Sequence, residues 1–191
     1  MPKESNAIVL LSGGIDSSAC VHYYLSQNFK VKGLFIDYGQ VVAKREVISA
    51  NQISRHYNIK LDTLKIILYQ KFLAGEIKGR NALFLITALT KYPEYTGIIS
   101  LGIHEGVAYY DTRKQFISDM QKIFSNYSNG RIKIDAPFLK WKKPMIYQYC
   151  IDNRVPTKLT YSCEKSGRKP CGLCNSCLDR SKWNASSLYK I

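Results

Sequence analysis

Ile8-Val9-Leu10-Leu11-Ser12-Gly13-Gly14-Ile15-Asp16-Ser17-Ser18 places a serine and two glycines directly between a short apolar run and the first helical pattern of the chain. A run of that length, rich in branched aliphatics, reads as a buried strand. Glycines at its carboxyl end let the backbone approach an anion closely. Ser12, Ser17 and the first N–H groups of a following helix can donate to phosphate oxygens. The junction of a strand and its following helix is also where open α/β sheets bind ligands. The spacing is neither GxxxxGK[ST] nor GxGxxG, which disfavours a Walker loop and a dinucleotide fingerprint. The alternative is a plain glycine turn with Asp16 or Ser17 capping the helix.

Outward from this loop, apolar runs and helical periodicities alternate, the mark of β-α units closing a parallel sheet. The pattern predicts strands over 7–11, 31–38, 61–68, 96–103 and 132–138. Helices are predicted over 17–28, 44–57, 81–92, 112–127 and 143–153, with Pro144 tolerated in a first turn. The expected fold is therefore α/β, with about five parallel strands and helices on both faces. From Pro156 onward Gly, Pro, Lys and Cys dominate until a short helix near 178–183. This divides the chain into an α/β domain over 1–155 and an appendage over 156–191.

Hydrophobic residues make up 46% and charged residues 22%, as in a globular rather than a disordered protein. No segment approaches ~18 uninterrupted apolar residues, so no membrane span is expected. The polar Met1 to Asn6 does not read as a secretory signal, and a cytoplasmic location is the expectation. Lys and Arg outnumber Asp and Glu by 28 to 14, giving a net charge of +14. That excess fits either a polyanionic partner or a solvated basic surface around a phosphate site.

Of the 6 cysteines, Cys20 and Cys150 fall in apolar helix patterns and read as core. The others form Cys163-x7-Cys171-x2-Cys174-x2-Cys177, in a segment where Gly167, Pro170 and Gly172 permit tight bends. Four thiols so spaced suggest a closed, structural Zn2+ site, with an iron–sulfur cluster or redox cysteines as alternatives.

Ser12-Gly13-Gly14-Ile15-Asp16-Ser17 resembles the SGGxDS signature of the PP-loop ATP pyrophosphatase superfamily, whose members split ATP to AMP and pyrophosphate while adenylating a substrate oxygen. The resemblance implies an adenine nucleotide alpha hydrolase (HUP-like) domain. Ser12, Gly13, Gly14, Asp16 and Ser17 would surround the pyrophosphate, with Mg2+ neutralising its charge. Asp16 would help position that ion, although a cap role is equally compatible.

Further stretches are similar to one branch, the 7-cyano-7-deazaguanine synthases of the QueC family, which belong to queuosine and archaeosine precursor synthesis. These are Phe35-Ile36-Asp37-Tyr38-Gly39-Gln40, Gly79-Arg80-Asn81-Ala82-Leu83-Phe84-Leu85, Val155-Pro156, Leu159-Thr160-Tyr161-Ser162-Cys163 and Lys169-Pro170-Cys171-Gly172-Leu173-Cys174-Asn175-Ser176-Cys177. In the light of that likeness, Arg80 can bind a phosphate or carboxylate bidentately, and Asn81 can meet a base edge or cap the following helix. Asp37 can accept from a ribose or purine, or act as a turn carboxylate. Lys143 matches a family lysine and can contact phosphate, or be one of several solvated lysines. Asp16, Ser17, Arg80 and Lys143 are thus the candidate catalytic residues.

The pattern breaks after the fourth strand. Gly102-Ile103-His104-Glu105-Gly106-Val107-Ala108-Tyr109-Tyr110-Asp111-Thr112-Arg113 is about two residues shorter than the family's segment. Asp111 and Arg113 match, whereas His104 replaces an asparagine. His104, Asp111 and Arg113 join Arg80 and Asn81 as candidate substrate contacts, His104 either as a general base or as a structural donor. The resemblance implies a ligase that adenylates a small deazapurine-like carboxylic acid and joins it to ammonia, giving an amide or nitrile, in a possible homodimer. The shortened loop motivates an alternative, a protein or nucleic-acid amine as acceptor; the charge motivates another, a tRNA-modifying PP-loop enzyme.

Overall fold

The computed structural model describes residues 5–67, 77–106, 109–165 and 169–188. Its elements run β1 (Asn6–Leu10), α1 (Ile15–Ser26), β2 (Lys30–Asp37), α2 (Ala43–His56), β3 (Lys60–Lys65), α3 (Arg80–Lys91), β4 (Gly97–Ser100), α4 (Lys114–Ser128), β5 (Ile132–Asp135), α5 (Lys143–Asp152) and α6 (Asn175–Leu188). Single 3-10 turns occupy Tyr110–Thr112 and Thr157–Leu159. The five strands are all parallel, in the order β3-β2-β1-β4-β5. The expected α/β sheet is therefore present. The order reverses at β1, so the crevice between the carboxyl ends of β1 and β4 is the topological switch point.

Strand alternation builds a core on each face of the sheet. Ala7, Val9 and Leu11 point to one side, with Ala19 of α1, Ile53 of α2 and Ile146 of α5. Ile8 and Leu10 point to the other, with Leu34 and Ile36 of β2, Leu85 of α3 and Phe124 of α4. Both faces of β1 are covered, which is why its sequence is an unbroken apolar run rather than an alternating one.

Several element bounds depart from the sequence expectation. β5 ends at Asp135 rather than 138, because Pro137 has no N–H to give a ladder. β4 correspondingly stops at Ser100, although Leu101 N still donates to Asp135 O at 3.0 Å. The helix predicted over 112–127 resolves into the 3-10 turn and α4, and the predicted terminal helix extends over Asn175–Leu188. The third strand ends at Lys65; Leu68, placed in it by the alternation, lies outside the described residues.

The tail folds back on the domain. Trp183 of α6 stacks on Tyr147 of α5 at 4.7 Å and 17°. Arg180 donates to Thr157 O at 2.8 Å and Thr160 O at 2.9 Å. Among the described residues, no helix is long and apolar enough to cross a membrane.

Candidate active site

The turn from β1 into α1 is shaped by close backbone packing. Gly13 has φ +80°, and a Cβ there would lie 2.7 Å from Glu46 O and 2.8 Å from Ala50 N. Only glycine fits both the conformation and the space. Gly14 is the helix N-cap, without a side-chain cap, so neither Asp16 nor Ser17 caps α1. Ser12 Oγ and Ser17 Oγ are 3.2 Å apart, and the hydroxyls of Ser17 and Ser18 donate to Gly14 O at 3.1 and 2.8 Å. Across the switch point, Gly102 is equally tight: a Cβ there would sit 2.8 Å from Ser17 N. The result is a concave array of hydroxyls and helix N–H groups at the positive end of α1, the electrostatics an anion requires.

Asp16 instead meets Lys143, at the start of α5, whose ammonium donates to both carboxylate oxygens at 2.6 and 2.5 Å. Both side chains are about a quarter exposed, at 24% and 22%, so the pair faces solvent rather than being sealed in the core. It lines a cavity of about 1170 Å³ together with Ser12, Gly14, Arg80 and His104. An adjoining cavity of about 210 Å³ shares Ser12, Asp16 and Arg80 and adds Ser17 and Asn81.

The remaining candidates lie elsewhere. Asp37 Oδ1 accepts from Gly39 N at 3.0 Å in a turn. Asp111 accepts from Asn81 N at 3.2 Å through its carboxylate and from Asn81 Nδ2 at 3.0 Å through its carbonyl, tying the start of α3 to the loop after β4. Arg113 is exposed at the N-cap of α4. Asp37, Asp111 and Arg113 are not among the residues lining either cavity. His104 does line the large one, and its Nδ1 lies 2.7 Å from Glu105 O. A carbonyl can only accept, so Nδ1 carries the proton of that hydrogen bond, and Nε2 is the ring nitrogen not used in it.

Sequence reasoning missed Glu46, which lines both cavities. Gln40 Nε2 donates to its Oε2 at 2.7 Å, while Gln40 Oε1 accepts from Tyr38 N at 2.9 Å. Burial raises the Glu46 pKa, against the Gln40 hydrogen bond and the Arg80 charge. A signal was available: Glu46 is the sole acid between Asp37 and Asp62.

The sulfurs of Cys163, Cys171, Cys174 and Cys177 all lie within 4.8 Å of one another. Cys171 Sγ and Cys177 Sγ are 3.9 Å apart, against about 3.8 Å for two thiolates sharing a tetrahedral Zn2+ with bonds of ~2.3 Å. Backbone N–H groups point at the sulfurs, from Cys171 and Lys165 to Cys163 and from Cys174 to Cys171. N–H donors of Leu173 and Cys174 pull the Cys171 thiol down to about 6, while burial pushes Cys177 up to about 12. Sulfurs this close cannot all ionise without a cation, and the donor set fits a soft, four-coordinate metal.

A family model described as "Queuosine biosynthesis protein QueC" matches residues 6–77 and 73–186. The 7-cyano-7-deazaguanine synthase of Prochlorococcus marinus subsp. pastoris (strain CCMP1986 / NIES-2087 / MED4) is 33% identical over 217 residues, covering 95% of this chain and 96% of its own. 7-Cyano-7-deazaguanine synthase 1 of Desulfitobacterium hafniense (strain Y51) is 28% identical over 202 residues, covering 94% and 91%. Among solved structures, NMN synthetase from Francisella tularensis superposes with a TM-score of 0.55 at 17% identity, covering 97% of this chain and 86% of that one. The NH3-dependent NAD synthetase from Campylobacter jejuni subsp. jejuni NCTC 11168 gives 0.51 at 16% identity, with 85% and 71% covered. At these identities the two structures speak to the fold alone.

Proposed function

The chain belongs to the queuosine biosynthesis protein QueC family, and from that premise we propose that it is an ATP-dependent carbon–nitrogen ligase converting 7-carboxy-7-deazaguanine and ammonia to the amide and nitrile. The observation that carries this reading is the Ser12–Ser17 anion cradle, which opens at the switch point into a cavity holding both Lys143 and Arg80. In the reaction, the substrate carboxylate attacks the α-phosphorus of ATP, giving an acyl adenylate and pyrophosphate. Ammonia adds to the acyl carbon, a proton passes to water or a base, and AMP leaves, giving the amide. A second ATP then adenylates the amide oxygen with release of pyrophosphate, and loss of AMP and of both amide N–H protons gives the nitrile.

In this proposal Ser12, Ser17 and the first N–H groups of α1 hold the pyrophosphate, and Gly13 and Gly14 let it come close. Lys143 adds the compensating charge, Asp37 stays near the nucleotide end of β2, and Arg80 and Asn81 orient the acid. Asp16 supplies the carboxylate that Mg2+ sites built on substrate phosphates use, and the ion would neutralise charge on the leaving pyrophosphate. His104, its Nδ1 held by Glu105 O, offers Nε2 as the general base that, in the neutral ring, takes the proton from the attacking nitrogen. Residues 1–155 form the ATP-binding unit and 156–191 the zinc-holding segment. The cysteine geometry supports that division.

Incubation with ATP, ammonia and 7-carboxy-7-deazaguanine tests the reading by mass spectrometry. AMP, pyrophosphate and a product lighter than the acid are expected, whereas ADP and phosphate as direct products contradict it. A second reading keeps adenylation but uses an amine of a protein or nucleic acid. It is favoured by Tyr109 and Tyr110, 40% and 54% exposed, beside the short loop after β4. A mass increase on a macromolecule, in place of free amide, would select it.

A further inference from the structure

Two polar groups that border the small cavity have hydrogen-bonding capacity left over, and they are complementary. Arg80 Nε is buried and has no hydrogen-bond partner among the described residues. A buried donor in that state is costly unless a ligand takes it up. Opposite in charge is Glu46, whose Oε2 is held by Gln40; none of the described residues donates to Oε1. Gln40 is itself fixed by Tyr38 N and Ile36 O, so the carboxylate is oriented rather than free to swing. Tyr38 packs on Phe84 at 5.1 Å, and Phe84, Leu34 and Ile36 give the cavity its apolar lining.

A flat heteroaromatic ring with an acceptor and adjacent donors on one edge satisfies all of these groups at once. We propose that Glu46, positioned by Gln40, reads the 2-amino-4-oxopyrimidine edge of the acid substrate, accepting from its ring N–H and exocyclic amine while Arg80 donates to the ring carbonyl. This rests on the ligase reading and names the subsite for its substrate. The adenine of ATP fits less well, since it offers one donor on that edge and sets a ring nitrogen lone pair against the carboxylate. Burial of an ionisable acid beside the catalytic loop agrees with a binding role.

Pyrophosphate release by wild type and Glu46→Gln is measured with 7-carboxy-7-deazaguanine and with its analogue lacking the 2-amino group. The variant should raise the KM for the acid roughly 10- to 100-fold, leave the KM for ATP within about threefold, and lose wild-type discrimination against the analogue. An unchanged KM for the acid, a raised KM for ATP, or discrimination that survives in the variant overturns the proposal. Should Glu46→Gln not fold, wild type that fails to discriminate overturns it as well. If wild type releases no pyrophosphate with any acid, the ligase reading fails. Calorimetric binding of 7-deazaguanine itself, present in wild type and lost in the variant, then still tests the subsite, and equal binding by both overturns it.

Discussion

Replacing Gly102 with alanine isolates the steric fit at the switch point. The backbone of Gly102 lies outside the left-handed region, so the substitution adds a contact and no conformational strain. Its Cβ would stand 2.8 Å from Ser17 N, 3.0 Å from the Asp16 carbonyl carbon and 3.1 Å from Ser17 Cα. All three atoms are backbone, so no flexible side chain can absorb the clash. To restore ordinary contact the first turn of α1 must retreat by roughly half an ångström, at an overpacking cost of ~1–3 kcal/mol. The same retreat moves the N–H groups and Ser17 hydroxyl assigned to pyrophosphate. A displacement of ~1 Å can cost about 100-fold in rate, so about 10-fold in kcat is expected here. Urea denaturation and pyrophosphate release measure the two effects. Gly130→Ala is the control: nothing lies within 4 Å of its added Cβ, but φ is +73°. It should cost ~1 kcal/mol with no change in turnover. If Gly102→Ala unfolds at the wild-type urea midpoint and turns over at full rate, the packing argument is refuted.

Three further outcomes follow from the packing and the electrostatics. Purified protein should carry about one zinc per chain by elemental analysis, and Cys171→Ser should lose both metal and folding stability; a stable, metal-free, active variant would sink the structural role. Trp183→Ala should cost about 2–3 kcal/mol by removing the stack on Tyr147, read as a lower urea midpoint, whereas Trp183→Phe should retain most of it. Because burial raises the folded pKa of Glu46, its contribution is most favourable below the unfolded carboxylate pKa and is lost as pH rises through the folded one. Glu46→Gln should therefore be more stable than wild type near neutrality, with the difference closing below about pH 4; a gap that widens in acid would reverse the assignment.

The fold was legible because its signals are local. An unbroken apolar β1 announces burial on both faces, and the glycines after it announce a turn that only glycine permits at Gly13. Element ends were less legible because they depend on neighbours: β4 stops where Pro137 cuts short the partner strand. The site divides in the same way. Ser12, Asp16, Arg80, His104 and Lys143 reach the large cavity, but pattern alone gave no sign that Lys143 would lie against Asp16, 127 positions away in sequence. Asp111 and Asn81 were singled out as separate substrate contacts, and their mutual hydrogen bonds emerge only when α3 and the loop after β4 meet. Glu46 belongs to no motif, and its importance comes from α2 packing directly on Gly13.

The cysteine segment bears on the cradle as well as on the tail. Tyr161 N donates to Gly13 O at 2.9 Å, two residues before Cys163, and Cys163 also lines the large cavity. Glu164 follows at once and accepts from Ser176 N and Oγ at 3.3 and 2.7 Å, fixing the start of α6. The chain from Thr160 to Glu164 thus fastens one wall of the cavity to the Gly13 turn, and its far end is anchored at the sulfurs. The Trp183 stack and the Arg180 hydrogen bonds fasten this segment to the domain, and ligation at the sulfurs would add to them. The glycine turn has the complementary problem: Gly13 is conformationally free in the unfolded chain and carries no side chain to pin it. Its restraints are α2 on one side and Tyr161 on the other. On the proposed reading, metal ligation at the sulfurs and phosphate binding at the glycine turn would therefore be coupled through one hydrogen bond and one shared wall.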